Sequence, residues 1–136
     1  MLTRGKLAQQ TGCNAETIRY FEKIQWLPKP ERSSSGYRLY SDSDRKRLLF
    51  ILKAKELGFD SAGISSLLEI SDGGDAYTRL EVKSLTEAHI AAVARKIKDL
   101  QRLKKRLTKI SSYCDGSEKS AKECPIITSL FENEEN

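Results

Sequence analysis

The chain has 136 residues, 38% of them hydrophobic and 32% charged, with a formal net charge of +5, the profile of a soluble globular domain with an appendage. No apolar run approaches the eighteen residues of a membrane span, and Met1-Leu2-Thr3-Arg4 opens no signal peptide, so the expected compartment is the cytoplasm. Three cysteines there, under reducing conditions, point to ligands, redox groups or core residues rather than to a disulfide framework.

Charge is unevenly spread. Residues 1–50 hold ten Lys/Arg against five Asp/Glu, while the tail from Phe131 carries three glutamates. A basic head implies a polyanionic partner. The chain opens with a short predicted helix from about Thr3 to Gln10, capped by Thr3, with Leu7 and Ala8 inward and Gly12 as its stop. Asn14 then caps a second helix, Ala15 to about Lys23, with Glu16 in the turn where the helix dipole favours negative charge. Two short helices joined by a tight glycine-containing turn form a helix-turn-helix signature, although Leu7, Ile18 and Phe21 are equally the makings of a small core.

Pro28 and Pro30 halt helix formation, and the turn Ser33-Ser34-Ser35-Gly36, lying between Trp26-Leu27 and Tyr37-Arg38-Leu39-Tyr40, predicts a two-stranded hairpin. Such a hairpin is a wing. Its Arg32, Tyr37 and Arg38 are donors suited to phosphate oxygens, whereas Trp26 and Tyr40 are expected to pack beneath it. Ser41-Asp42-Ser43-Asp44 predicts the cap of a third helix reaching Leu57, with Leu48, Leu49, Ile51, Leu52 and Ala54 inward and Gly58 past its end. A fourth helix starts at Ser61 with Ile64, Leu67, Leu68 and Ile70 inward, and Ser71-Asp72-Gly73-Gly74 is the expected hinge.

From about Glu81 to Ser111 runs one long predicted helix. Val82, Leu85, His89, Val93, Ile97, Leu100, Leu103, Leu107 and Ile110 recur at spacings of mostly three or four and form one stripe. Roughly thirty residues at about 1.5 Å each make a rod on the order of 45 Å long, too long for a small domain to cover, so a second copy of the chain is the expected cover. The other face carries Arg95, Lys96, Lys98, Arg102, Lys104, Lys105, Arg106 and Lys109 against Asp99 alone, as on the outside of a two-stranded coiled coil. The expected divisions are residues 1–73, a DNA-binding head; 74–111, hinge and dimerisation helix; and 112–136, a cysteine-containing loop and tail.

Glu16-Thr17-Ile18-Arg19-Tyr20-Phe21-Glu22-Lys23, then Gly36-Tyr37-Arg38-Leu39-Tyr40, Leu57-Gly58-Phe59 and Cys124-Pro125-Ile126-Ile127 together resemble the MerR family of bacterial transcription regulators. The resemblance covers nearly the whole chain. It implies a mainly α fold: a winged helix-turn-helix head, a long antiparallel coiled-coil dimerisation helix and a short C-terminal effector loop. It further implies a homodimer that distorts double-stranded promoter DNA so that RNA polymerase can engage two badly spaced recognition elements. Matched by position, Arg19 and Tyr20 lie on the recognition helix, Tyr37 and Arg38 on the wing, and Lys55 at a phosphate contact, with Thr17 and Arg32 secondary.

Cys114 and Cys124 bracket a polar loop, and two soft thiolates there form a candidate site for a soft metal ion. The spacing alone is weak; the resemblance strengthens it, because metal-sensing members place two ligand cysteines on this loop. Divalent-ion sensors of the family add a cysteine from the start of the partner's long helix, and monovalent copper or silver sensors have Ser there. Aligned on Ser84-Leu85, this chain has Arg79. The missing third thiolate disfavours Zn(II) or Hg(II) and leaves a two-thiolate site for Cu(I) or Ag(I). Thiol oxidation, an electrophile or an organic ligand remains the alternative effector. Cys13, in the turn between the first two helices, is expected to be a core residue, and His89 an imidazole on the dimer stripe. No nucleophile, base and orienting group combine in a way that would indicate an enzyme.

Overall fold

The computed structural model describes residues 1–132; Asn133 to Asn136, which include two of the three tail glutamates, lie outside the described residues. The order of elements is β1 (Leu2–Thr3), α1 (Arg4–Thr11), α2 (Ala15–Lys23), β2 (Glu31–Arg32), β3 (Arg38–Tyr40), α3 (Asp42–Glu56), α4 (Ser61–Gly73), α5 (Arg79–Ser111) and α6 (Pro125–Phe131), with short 3-10 turns at Gly74–Ala76 and Ala121–Glu123. The chain divides into two compact units, Met1–Lys83 and Ser84–Asn136.

In the first unit each helix begins on a side-chain cap. Thr3 accepts from the Lys6 N–H at 3.3 Å, and Asn14 Oδ1 from Glu16 at 2.7 Å and Thr17 at 3.2 Å. Gly12, at φ 72°, ends α1 in the left-handed conformation that the sharp turn into α2 requires. Ser41 and Asp44 form a reciprocal capping box at α3, with bonds of 3.1 and 2.9 Å. Ser41→Ala should therefore lower stability by about 1 kcal/mol in urea unfolding; an unchanged midpoint would mean that water caps the helix as well as serine does.

The core is one cluster centred on Leu7, Ile18, Phe21, Leu27, Tyr40, Leu48, Ile51 and Ile64, all nearly inaccessible, with Trp26 and Cys13 at its edge. Leu67 is half-buried against it, and Ile70 is half-buried. Leu49 is a correction: expected inward, it is exposed beside Phe50, because α3 buries the narrower stripe Leu48, Ile51 and Ala54.

The wing also differs from expectation. Trp26 and Leu27 form no strand: both donate their N–H to the Phe21 carbonyl, at 2.9 and 3.2 Å, closing the end of α2 behind Gln25 at φ 65°. The Trp26 indole instead donates to Ser65 Oγ at 3.0 Å. The strand paired with β3 across the turn is Glu31–Arg32, in register Glu31↔Leu39 and Arg32↔Arg38. On its other edge β3 pairs with Leu2–Thr3, a strand the sequence did not announce, so the sheet has three strands in the order β1-β3-β2. Ser71 to Gly73 are the last turn of α4 rather than hinge; the chain turns at Gly74, φ 44°.

α5 starts two residues earlier than expected, with the Thr78 hydroxyl accepting from the Glu81 N–H at 3.2 Å. None of its residues is buried. Leu100 and Leu107 are 63% and 65% exposed, Val93, Ile97 and Leu103 on the same stripe are open too, and so is the neighbouring Ile90; His89 is half-buried. Among the described residues no helix is long and apolar enough to cross a membrane.

Candidate functional site

The first candidate site lies wholly in the first unit, between the start of α1, the exposed face of α2 and the wing. Arg19 projects from α2 with its guanidinium 3.1 Å from Glu16, an exposed pair one turn apart that water screens and that a stronger anion can displace. Arg32 and Arg38 face each other across β2 and β3. The wing tip between them is a tight turn, in which the Ser33 N–H donates to the Tyr37 carbonyl at 2.7 Å and Gly36 takes φ 83°. That turn leaves Tyr37 exposed. One open cleft is lined by Thr3, Arg4, Arg19, Arg32, Tyr37 and Arg38 together with two glycines. No acidic side chain lines it, and several guanidiniums on one open surface make a strong anion-binding field.

The structure thus brings Arg19, Arg32, Tyr37 and Arg38 together. The other three residues sit apart from the cleft lining. Tyr20 is exposed on α2, with its ring 6.2 Å from that of Phe21. Thr17 is half-buried in the first turn of α2, giving its N–H to Asn14. Lys55, on α3, holds its ammonium 5.5 Å from the Phe21 ring centre, a cation–π contact. Two residues were missed: Arg4, which lines the cleft, and Glu22, whose carboxylate is hydrogen-bonded to Tyr40 at 2.7 Å and lies 3.4 Å from Arg38. Arg4 had a signal in the sequence, since an arginine at the first position of a helix opposes the dipole.

The second candidate site lies in the second unit, beyond α5. Cys114 follows the last turn of the helix, its N–H on the Ser111 carbonyl at 3.3 Å. Asp115 then accepts from the Ser117 N–H at 3.0 Å, and Gly116 at φ 70° reverses the chain. Cys124 is the N-cap residue of α6, followed by Pro125. The backbone N–H groups of Ile127 and then Ile126 lower the Cys124 thiol below its ordinary value; a hydrogen bond with Cys114 acts the same way, against partial desolvation and the charge of Asp115. The two cysteines line one pocket, together with Tyr113, Asp115, Ser120 and Pro125.

This donor set fits a soft, thiophilic ion, since the thiolate is the ligating form and one thiol is already acidified. No group of three or more His, Cys, Asp or Glu able to hold a metal occurs among the described residues, so one chain offers two sulfurs and not the four ligands a structural zinc site prefers. Cys13 is of another kind: it is buried, burial pushes its thiol up, and the charge of Lys55 only partly opposes that.

Comparison with known proteins gives the family. Residues 2–70 match the family described as MerR HTH family regulatory protein, and residues 45–110 that described as MerR, DNA binding. The chain belongs to the MerR family. It is 40% identical over 127 residues to a mercuric resistance operon regulatory protein of Bacillus cereus, covering 93% of this chain and 95% of the relative. It is 34% identical over 126 residues to the transcriptional regulator ZntR of Escherichia coli, covering 93% and 89%. Among solved structures, a transcription regulator from Ralstonia metallidurans in complex with lead(II) superimposes with a TM-score of 0.80 at 35% identity, over 96% of this chain and 99% of that one. A MerR family regulator lacking the sensor domain, bound to promoter DNA, superimposes at 0.59 with 28% identity, over 82% and 84%. This MerR-family chain is accordingly a DNA-binding transcription regulator, with the helix-turn-helix head and long helix of its relatives, and its family is not one of enzymes.

Proposed function

We propose that this chain acts as a homodimer in the cytoplasm, binding promoter DNA through two copies of the head and activating transcription when a soft metal ion occupies the Cys114/Cys124 loop. The observation that carries the DNA-binding part is the open cleft between α2 and the wing, lined by arginines and by no acidic side chain. Arg19 and Tyr20, with Thr17 behind them, are assigned to the recognition helix; Arg32, Tyr37 and Arg38 to the wing; and Lys55 to a flanking phosphate.

The unpartnered stripe of α5 supports the dimer. Apolar side chains three and four residues apart over some thirty residues are stable in water only against a matching surface, and a second α5 supplies one. Residues 1–73 then form the head, 74–111 the hinge and dimer rod, and 112–136 the effector segment. A rod joining two heads fixes their separation, so a rearrangement at its ends alters how they grip the duplex. Bending DNA by tens of degrees costs on the order of 1–10 kcal/mol, which phosphate contacts from both heads offset. The distorted promoter would then present its two elements to RNA polymerase.

For the effector, two thiols in one pocket with no third ligand among the described residues favour Cu(I) or Ag(I). Hg(II) is the second reading, because the relative from Bacillus cereus is named as a mercuric resistance regulator.

Arg19→Ala or Arg38→Ala should weaken binding to a promoter duplex recovered by selection, while the dimer persists in sedimentation. Loss of one phosphate contact lowers the magnitude of the salt slope by about 0.9 per head, hence by about 1.8 for a dimer. If both variants bind as tightly as the parent across the salt series, the DNA face lies elsewhere.

A further inference from the structure

Arg4 has a position that the residues assigned above leave unused. It is the first residue of α1, where unpaired N–H groups and the positive end of the helix dipole disfavour a cation, and the first turn of α1 holds no acid. The compensation comes from other elements. Arg4 Nε donates to the Tyr40 hydroxyl at 3.1 Å, and its Nη2 lies 3.5 Å from both oxygens of Glu22. Tyr40 donates in turn to Glu22 at 2.7 Å, and the same carboxylate lies 3.4 Å from Arg38. The Glu22 side chain is only 9% exposed. One carboxylate on α2 thereby holds two guanidiniums, one from α1 and one from β3.

This cluster is not sealed. Arg4 lines the same cleft as Arg19, Arg32 and Arg38, so four guanidiniums there are answered by two carboxylates, Glu16 and Glu22. An arginine has five N–H donors in a fixed fork. Tyr40 and Glu22 engage the Nε and Nη2 sides, and Nη1 has no hydrogen-bond partner among the described residues. A fork anchored on two edges has a fixed direction, so its remaining donors meet an incoming anion without further loss of side-chain entropy.

We propose that Arg4 is a further DNA backbone-phosphate contact, fixed by Glu22 and Tyr40, which grips from the α1 side of the cleft a phosphate that Arg38 grips from the wing. This rests on the DNA-binding reading above. A phosphate contact carries no sequence information, so its effect is the same on any duplex.

The test is fluorescence anisotropy of the full chain with a mixed-sequence duplex of about 30 base pairs and with the selected promoter duplex, at several salt concentrations. Arg4→Gln should lower the magnitude of the slope by about 1.8 per dimer and weaken binding to both duplexes by about tenfold at moderate salt, whereas Arg4→Lys, which keeps the charge, should keep the slope. Gly5→Asp reads the cleft without disturbing the fold: Gly5 lines it, a side chain there meets nothing within 4 Å, and an acid in the first turn suits the helix dipole. That variant should lose affinity with no loss of melting temperature.

If Arg4→Gln melts lower but keeps the parental slope, Arg4 is a structural ion-pair residue and the proposal fails; unchanged affinity in Gly5→Asp overturns it as well. Arg38→Ala separates the two levels of the argument. A lowered slope there with an unchanged slope in Arg4→Gln refutes this inference alone, and unchanged slopes in both refute the DNA face itself.

Discussion

Leu100→Glu or Leu107→Glu is expected to dissociate the dimer. Each leucine stands more than 60% exposed on the single chain, so the free chain loses little when it is replaced, and glutamate is about as good a helix former as leucine. The cost falls on the assembly. In the paired state an uncompensated carboxylate would sit in the apolar seam, at on the order of 3–5 kcal/mol for each buried charge, and twofold pairing buries one from each chain. At about 1.4 kcal/mol per tenfold, association should weaken by at least about four orders of magnitude. Sedimentation velocity with circular dichroism decides it: monomer with helical head signal retained is the expected outcome, and a stable dimer in both variants would show that the stripe faces something other than a second copy.

The parts of the fold that could be read in advance are those set by local rules. Thr3, Asn14 and Ser41 cap their helices because an oxygen one turn before a run of free N–H groups satisfies them wherever the rest of the chain lies, and Gly12 stops α1 through its own backbone freedom. The failures are non-local. Leu2–Thr3 is too short to carry an alternating pattern, and it becomes a strand only because β3 has an open edge. Trp26 and Leu27 look like strand residues by type, yet the end of α2 takes up their N–H groups first. Leu49 matched the helical period, but α3 buries one narrow stripe, and which leucine faces out depends on where α4 and the sheet sit.

The same division runs through the candidate sites. Arg32, Tyr37 and Arg38 could be named as candidates because donors beside a turn form a recognisable pattern, and Arg19 because the block around it resembles the family's. Glu22 was not, because its role depends on Arg4, eighteen positions earlier, and Tyr40, eighteen later, meeting at one carboxylate. Spacing also could not show that Cys114 and Cys124, with nine residues between them, line one pocket; the turn at Asp115 and Gly116 lies in that intervening loop.

The amides of Ile126 and Ile127 bear on the second large effect, the choice of ion. Two thiolates and a monovalent ion leave a local charge of about −1, and a divalent ion leaves about zero. The Ile127 and Ile126 N–H groups already favour negative charge on Cys124. That suits a site that stays anionic when filled, and it supplies none of the further ligands that zinc prefers. Cu(I) or Ag(I) should therefore bind at one ion per loop, far more tightly than Zn(II), and Cys114→Ser or Cys124→Ser should abolish both binding and promoter activation. Competition against a Cu(I) chelator beside a Zn(II) titration gives the affinities, and an activation assay with Cu(I), Ag(I), Hg(II) and Zn(II) gives the response. Cysteine-dependent tight zinc binding would overturn the valence argument, and activation by Hg(II) alone would establish the second reading. Absence of binding by every ion would leave the cysteine pair to thiol oxidation or an electrophile, or the regulator to an organic ligand.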